Sequence, residues 1–399
     1  MKLSKKAEDI SPSITLVITA KAKELKESGV DVISFGAGEP DFNTPSNIIE
    51  AAYKAMKEGK TKYTATSGIK ELKEEICKKF LRDNGLKYDL DKIIVCTGAK
   101  QCLADAFMAI LNEGDEVIIP TPYWVSYPEL VKIAGGVPVF MEGSIENHFK
   151  YEIEKLENIV TSKTKAIIIN SPNNPTGTIY NKEELLELAK FAENHNLIII
   201  ADEIYEKLIY DGERHISIAS LTDYAYNNTI VINGLSKAAA MTGWRIGYAA
   251  ANKEIIKLMT SIQSHMTSNT NSITQYAAIE ALSNTEDSLN KMVKEFDNRR
   301  KYMINRLDSI KGINYILPKG AFYIMVNVSG VYGKSINGEK ITDSLSFSKE
   351  LLKEENVAVI PGIGFGLDDY IRLSYATSME NIENGIDRIE KFLNKLNQI

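Results

Sequence analysis

The chain has 399 residues, of which 44% are hydrophobic and 25% charged, and its 47 lysines and arginines against 53 aspartates and glutamates leave a formal net charge of -6. That length exceeds what one hydrophobic core usually serves and predicts two domains, while the acidic balance, without a concentrated basic stripe, excludes a nucleic-acid partner. Three cysteines, Cys77, Cys96 and Cys102, with no C-x-x-C pair, cannot build a disulfide framework or a zinc site and point to a reducing compartment.

The opening stretch, "MKLSKKAEDISPSITLVITAKAKELKESG", is basic, but acids and polar residues break each apolar run before it forms a signal-peptide core. Elsewhere the longest apolar runs, such as "LIIIA", fall far short of the roughly 20 residues that span a bilayer. A soluble, cytoplasmic protein with no membrane partner is expected. Next comes "GAGEPD", which starts like a dinucleotide fingerprint but has Asp41 where the third glycine belongs. Late in the chain "GVYGKS" ends like a phosphate-binding P-loop, yet Val328 holds the position of its first glycine. Both nucleotide readings fail on a required residue.

Seven β-rich segments follow in order: "IIVCTG", "EVIIPTP", "VPVFME", "AIIIN", "LIIIADE", "TIVING" and "RIGYAAA". Most are continuous apolar runs, the pattern of strands covered by helices on both faces. Helical patterns such as "AKQCLADAFMAILNEG" and "NKEELLELAKFAENHN" fill gaps between them. The expected fold is α/β, a mostly parallel sheet whose chemistry collects at the carboxyl ends of its strands. That rule makes Asn174, Asp202 and Lys237 the suspects. Beyond about residue 285 a long charged helix, "DSLNKMVKEFDNRRKYMINRLDSI", precedes the shorter strands "GAFYIMVNV", "VAVIPG" and "YIRLSYA", as in a smaller α/β domain.

Lys237 stands directly after a strand, between Leu235, Ser236 and the run Ala238 to Ala240. Such company desolvates an ammonium, lowers its pKa and favours the nucleophilic amine that forms Schiff bases; a solvated strand end is the plainer alternative. A Schiff base implies a carbonyl, and a pyridoxal phosphate site further needs a buried carboxylate to keep the pyridine nitrogen protonated. Asp202, ending "LIIIAD", supplies one, though it could equally cap a helix. In the turn "NSPNNPTG", Asn174 offers an amide to a phenolate oxygen. In "CTGAKQCL", the N–H groups around Gly98 and Ala99 open a helix and can hold a phosphate, a weak signal alone.

Taken together, "SPNNPTG", "ADEIY", "SKAAAMTGWRIGY" and "YIRLSYA" resemble the class I and II aminotransferases, pyridoxal-phosphate enzymes of fold type I. "GAGEPDFNTP", "KYTATSGIKELKEEI", "TPYWVSYPEL", "PKGAFY" and "PGIGFG" extend the likeness, in the family's order, over nearly the whole chain. The resemblance implies a seven-stranded large domain over residues 45–285 and a small domain of residues 1–44 and 286–399. It implies that Lys237 is the Schiff-base and proton-transfer lysine, that Asp202 pairs with the pyridinium, and that Tyr205 and Asn174 bond the cofactor's 3′-oxygen. Arg245, with the turn at Gly98, Ala99 and Lys100, would hold the phosphate, and Trp124 would stack on the ring. Arg372 matches the arginine that binds the substrate's α-carboxylate, and Gly38 the backbone position closing over the substrate. Tyr63 matches a tyrosine reaching the phosphate of a neighbouring subunit, which implies a homodimer with shared sites.

Some aspartate aminotransferases of this fold take the side-chain carboxylate with a second arginine, but no arginine lies between Arg245 and Arg299. A related branch uses a lysine at the position of Lys100, and here Ser13 and Thr15 are candidate helpers. The expected reaction is therefore ping-pong transfer from L-aspartate to a 2-oxo acid, 2-oxoglutarate by first choice. Aromatic or prephenate-using transamination is the main alternative; a carbon–sulfur lyase and a non-catalytic pyridoxal-binding sensor are the others.

Overall fold

A strand that is apolar at nearly every position has no face to give to water, so each such run needs helices above and below it. In the computed structural model, which describes residues 2–397, all seven segments lie in one sheet. Its strands are β1 (Ile93–Cys96), β2 (Glu116–Thr121), β3 (Val137–Glu142), β4 (Thr164–Asn170), β5 (Ile198–Asp202), β6 (Thr229–Gly234) and β7 (Gly247–Ala250). The spatial order is β1-β7-β6-β5-β4-β2-β3. Strand β7 is antiparallel to both of its neighbours and every other adjacent pair is parallel. The expected α/β class and mostly parallel sheet are what the chain forms.

Alternate residues of these strands enter different cores. Ile94, Cys96, Ile230 and Ile232 pack with Cys102, Leu103 and Phe107 of helix Ala99–Ile110. Ile93, Val95 and Val231 pack instead with Ile48, Leu72, Ile76 and Ala277, from three helices on the opposite face. One of the predicted helices runs Lys182–Asn194 and is started by a reciprocal cap: Asn181 accepts from the Glu184 N–H, and Glu184 accepts from the Asn181 N–H. Six strands run in the same sense, so the residues following β1, β4, β5 and β6 meet along one edge, where an open sheet forms its crevice.

The long helix Glu286–Ser309 buries Met292, Phe296, Arg299, Arg300, Met303 and Leu307, a stripe at helical spacing. It shares a core with an antiparallel sheet of four strands, in the order Ile360–Pro361, Tyr370–Ser374, Tyr323–Asn327 and Asn314–Ile316. "VAVIPG", expected as one strand, is divided because it serves two partners. Val357–Ala358 pairs in parallel with Ile33–Ser34, while Ile360–Pro361 pairs with the strand that carries Arg372. Ile33 and Phe35 are buried in this same core, which joins the amino-terminal segment to the carboxyl-terminal part. Among the described residues no helix is long and apolar enough to cross a membrane.

Candidate active site

Helix Ala99–Ile110, the carboxyl ends of β4, β5 and β6, the strand Tyr370–Ser374 and the amino-terminal segment enclose a cavity of about 670 Å³. Gly38, Ala99, Lys100, Trp124, Asn174, Asp202, Tyr205, Lys237, Arg245 and Arg372 all line it. Ten of the expected residues, scattered over more than three hundred positions, therefore share one space.

Lys237 follows β6 and points into the cavity, where its Nζ donates to the Gly38 carbonyl at 2.5 Å. The rings of Phe322 and Tyr205 lie 5.8 and 5.9 Å from the same nitrogen. Among the described residues no carboxylate forms a salt bridge with it, and burial pulls its pKa from 10.5 down to about 8. Glu39 works against that fall, while Arg372 and Arg245 add to it. The ammonium is thus readily converted to the nucleophilic amine near neutral pH.

Asp202 ends β5 and is buried. The Tyr127 hydroxyl donates to Oδ2 at 2.7 Å and the Ile204 N–H to Oδ1 at 3.3 Å. Burial nonetheless pushes the carboxyl up to about 6, because these donors compensate only partly for lost water. Asn170, paired with Asp202 across β4 and β5, donates to its carbonyl at 2.9 Å and accepts from the Asn174 N–H at 2.8 Å. The proline-rich turn is thereby tied to the strand edge. Behind Asp202, Lys79 is paired with Glu206, and His215 Nε2 lies 3.1 Å from Glu203 Oε2 without hydrogen-bond alignment. Burial disfavours the imidazolium, but Glu203 and Glu206 together outweigh it and raise its pKa. Glu203, Glu206 and His215 have ligand atoms within 4.8 Å of one another, and Lys79 already pairs with Glu206.

Arg372 is 2% exposed and, among the described residues, has no carboxylate partner. Its Nη1 donates to Asn174 Oδ1 at 3.0 Å and its Nη2 to the Gly36 carbonyl at 3.2 Å, while Nε has no partner. A buried guanidinium left without an anion calls for one from a ligand. Because Asn174 accepts through Oδ1, its Nδ2 is left to donate.

At the opposite wall Gly98, with φ +87°, starts helix Ala99–Ile110 without a side-chain cap. A methyl on Gly98 would stand 2.6 Å from Arg245 Nη2, so only glycine admits this approach. Arg245, itself left-handed at φ +53°, is held by a bond from Nη1 to the Thr242 carbonyl at 2.8 Å. Exposed helix N–H groups beside an arginine fork form a ready anion cradle. Lys100 sits in the first turn with Nζ 4.9 Å from the Trp124 ring centroid. Burial lowers its pKa and Arg245 lowers it further.

Two expectations are not met within one chain. Tyr63 is 92% exposed and outside the cavity. Thr15 lines the cavity, but Ser13 reaches it only through a 2.8 Å bond between the two hydroxyls. Conversely, Tyr127, Asn170 and Tyr323 belong to the site without having been singled out. Asn170 ends "AIIIN" and Tyr127 stands three residues after Trp124, so strand-end position and helical spacing were the available signals.

The set fits pyridoxal phosphate on its own geometry. An amine of lowered pKa, a buried carboxylate and an anion cradle stand around one cavity, and the unpaired Arg372 remains for a substrate. Known proteins agree. The chain is 52% identical to the aspartate aminotransferase of Bacillus subtilis (strain 168), over 99% of this chain and all of that protein. The structure of the aspartate aminotransferase from Rhizobium meliloti superposes with a TM-score of 0.96 at 42% identity, covering 99% of this chain and 100% of that one. That of the Thermus thermophilus aspartate aminotransferase with maleate gives 0.93 at 42%, covering 98% and 99%. The model of the family "aminotransferase class I and II" matches residues 30–389, a span that contains Gly38, Lys237 and Arg372 alike, and the chain belongs to that family.

Proposed function

We propose that this transaminase moves the amino group of L-aspartate to a 2-oxo acid, 2-oxoglutarate by preference, in two half-reactions that share one site. The observation that carries the choice of substrate is a pair of cations without acidic partners among the described residues, Arg372 and Lys100, lining the same cavity. A substrate with two carboxylates satisfies both. The names of the Bacillus, Rhizobium and Thermus relatives, and the dicarboxylate maleate on the last, support the reading.

When bound, pyridoxal phosphate supplies an aldehyde that condenses with amines and a pyridinium ring that accepts the electron pair left at the substrate's Cα. Lys237 would hold the cofactor through its amine and would serve as the base that takes the Cα proton. Asp202, fixed by Tyr127, keeps the ring nitrogen protonated. Gly98, Ala99 and Arg245 would hold the phosphate, Trp124 would lie against the ring, and Tyr205 with Asn174 Nδ2 would donate to the ring oxygen. Arg372 takes the α-carboxylate through two parallel bonds, and Lys100, with Thr15, takes the distal one. Gly38 closes the backbone over the substrate.

The enzyme works as a homodimer in which Tyr63, exposed and outside the cavity of its own chain, reaches the phosphate site of the neighbouring protomer. We assign residues 45–285 to a cofactor domain and residues 1–44 with 286–399 to a small domain, a division supported by the pairing of Ile33–Ser34 with Val357–Ala358. Three free cysteines fit a cytoplasmic setting.

The test is an absorption spectrum of the protein with pyridoxal phosphate, before and after aspartate is added without any oxo acid. Loss of the lysine-bound band together with release of oxaloacetate is expected. A band unchanged by aspartate but converted by alanine or an aromatic amino acid would retain the transaminase and discard the substrate.

A further inference from the structure

Tyr323 and Arg372 come from neighbouring antiparallel strands, where Tyr323 pairs with Ser374 and Met325 with Arg372. They are diagonal neighbours on one face of the sheet, within reach of a ring and a long side chain. The guanidinium carbon lies 4.2 Å from the Tyr323 ring centroid and 5.0 Å from that of Phe365. A planar cation held by ring faces is restricted in orientation and keeps its donor edge for a carboxylate. Tyr323 has a second contact: its hydroxyl lies 2.9 Å from that of Tyr205.

A phenol has one proton to give. If Tyr205 spends it on the cofactor's ring oxygen, the bond between the two phenols must run from Tyr323 to Tyr205. Burial raises the pKa of both phenols and Arg372 opposes the rise at each, so both stay protonated and able to donate.

We propose that Tyr323 is a positioning residue of this active site: its ring orients the Arg372 guanidinium, and its hydroxyl donates to Tyr205, whose proton then serves the cofactor. One side chain thereby sets both the α-carboxylate contact and the strength of the bond to the ring oxygen. The inference rests on the roles given above to Arg372 and Tyr205.

Three holoenzymes test it: wild type, Tyr323→Phe and Tyr323→Leu. The Phe variant keeps the ring and loses the donor. Its affinity for maleate, a dicarboxylate without an amino group, read from the cofactor's absorption, stays within about twofold of wild type because the stack survives. The pH midpoint of the lysine-bound band rises, since a less polarised Tyr205 leaves more negative charge on the ring oxygen, which then retains the neighbouring proton. Its kcat falls about fivefold, the scale of one neutral hydrogen bond, with KM for aspartate little changed. The Leu variant shows the same midpoint and in addition loses about tenfold in maleate affinity.

A Phe variant with the wild-type midpoint overturns the proposal, and it decides alone if the Leu variant does not fold. Equal maleate affinity in the Phe and Leu variants overturns the role of the ring. A wild type that neither holds pyridoxal phosphate on Lys237 nor converts aspartate would instead defeat the functional reading beneath the proposal, before any variant is compared.

Discussion

The ammonium of Lys100 rests 4.9 Å from the centre of the Trp124 ring, and among the described residues no carboxylate pairs with it. Charged side chains placed in a cavity wall without a partner are poised for one that arrives with a ligand. Lys100→Gln removes the cation and keeps a polar side chain of similar reach. A charge-assisted hydrogen bond contributes about 1.5–3 kcal/mol, so kcat/KM for aspartate is expected to fall roughly 10- to 100-fold. The value for alanine, which has no distal carboxylate, should change by less than about threefold. A loss common to both substrates would place Lys100 in phosphate binding instead.

Lys237 gives a pH dependence with a definite sign. Its amine attacks only when neutral, and burial brings its pKa from 10.5 to about 8. The rate at which cofactor-free enzyme captures pyridoxal phosphate should rise with pH through that value and then level off. An exposed lysine would keep gaining towards its ordinary value. Rapid-mixing absorbance between pH 6 and 9.5 distinguishes the two shapes, and a rate still rising steeply at the upper end would refute the desolvated amine.

The large sheet was legible because most of its strands are short, β-branched runs that are apolar on both faces and bounded by turn residues. Lys237 and Asp202 were legible for a related reason, since each stands in or beside an apolar run that a solvated charge would not need; Arg372 was legible only through the resemblance that "YIRLSYA" carries. Tyr323 was not. Its role depends on lying diagonally from Arg372, and that register exists only once two strands separated by forty residues of other structure have paired. "VAVIPG" misled in the same way, since nothing in its composition says that its two halves serve different partners. Tyr63, expected from the resemblance to serve a neighbouring subunit, is exposed and does not line the cavity of its own chain.

Arg372 should not tolerate lysine. The guanidinium contacts Asn174, Gly36 and two ring faces at once, and an ammonium cannot reproduce that planar fork. Arg372→Lys is expected to raise KM for both aspartate and 2-oxoglutarate by about 10- to 100-fold, the scale of one lost charge-assisted bond. Far-ultraviolet circular dichroism should be unchanged, because charge is retained at the buried position. Steady-state kinetics with each substrate in turn checks this, and a variant impaired towards only one of the two would contradict a shared α-carboxylate site.

Asp202 makes a prediction about stability in the opposite direction to activity. Burial keeps its carboxyl protonated up to about 6, against 3.8 for an ordinary aspartate. Between those values the folded, cofactor-free protein binds a proton that the unfolded chain has already released, so its stability falls as pH rises through that window. Above it the carboxylate remains buried and ionised, with the Tyr127 hydroxyl at 2.7 Å as its one close donor. Asp202→Asn preserves the shape and an acceptor for Tyr127 but has no charge to desolvate. Cofactor-free Asp202→Asn should therefore melt higher than wild type at pH 7, with the difference shrinking towards pH 4, where the wild-type carboxyl is also neutral. In the presence of cofactor the same change would remove the anion proposed to keep the pyridine nitrogen protonated, and kcat should drop at least about 100-fold. Thermal melts of the cofactor-free proteins at half-unit pH steps decide the first part. A variant no more stable than wild type at pH 7 would mean that water or Tyr127 already compensates the buried charge in full, and that the strain at this carboxylate is not waiting for a cation to relieve it.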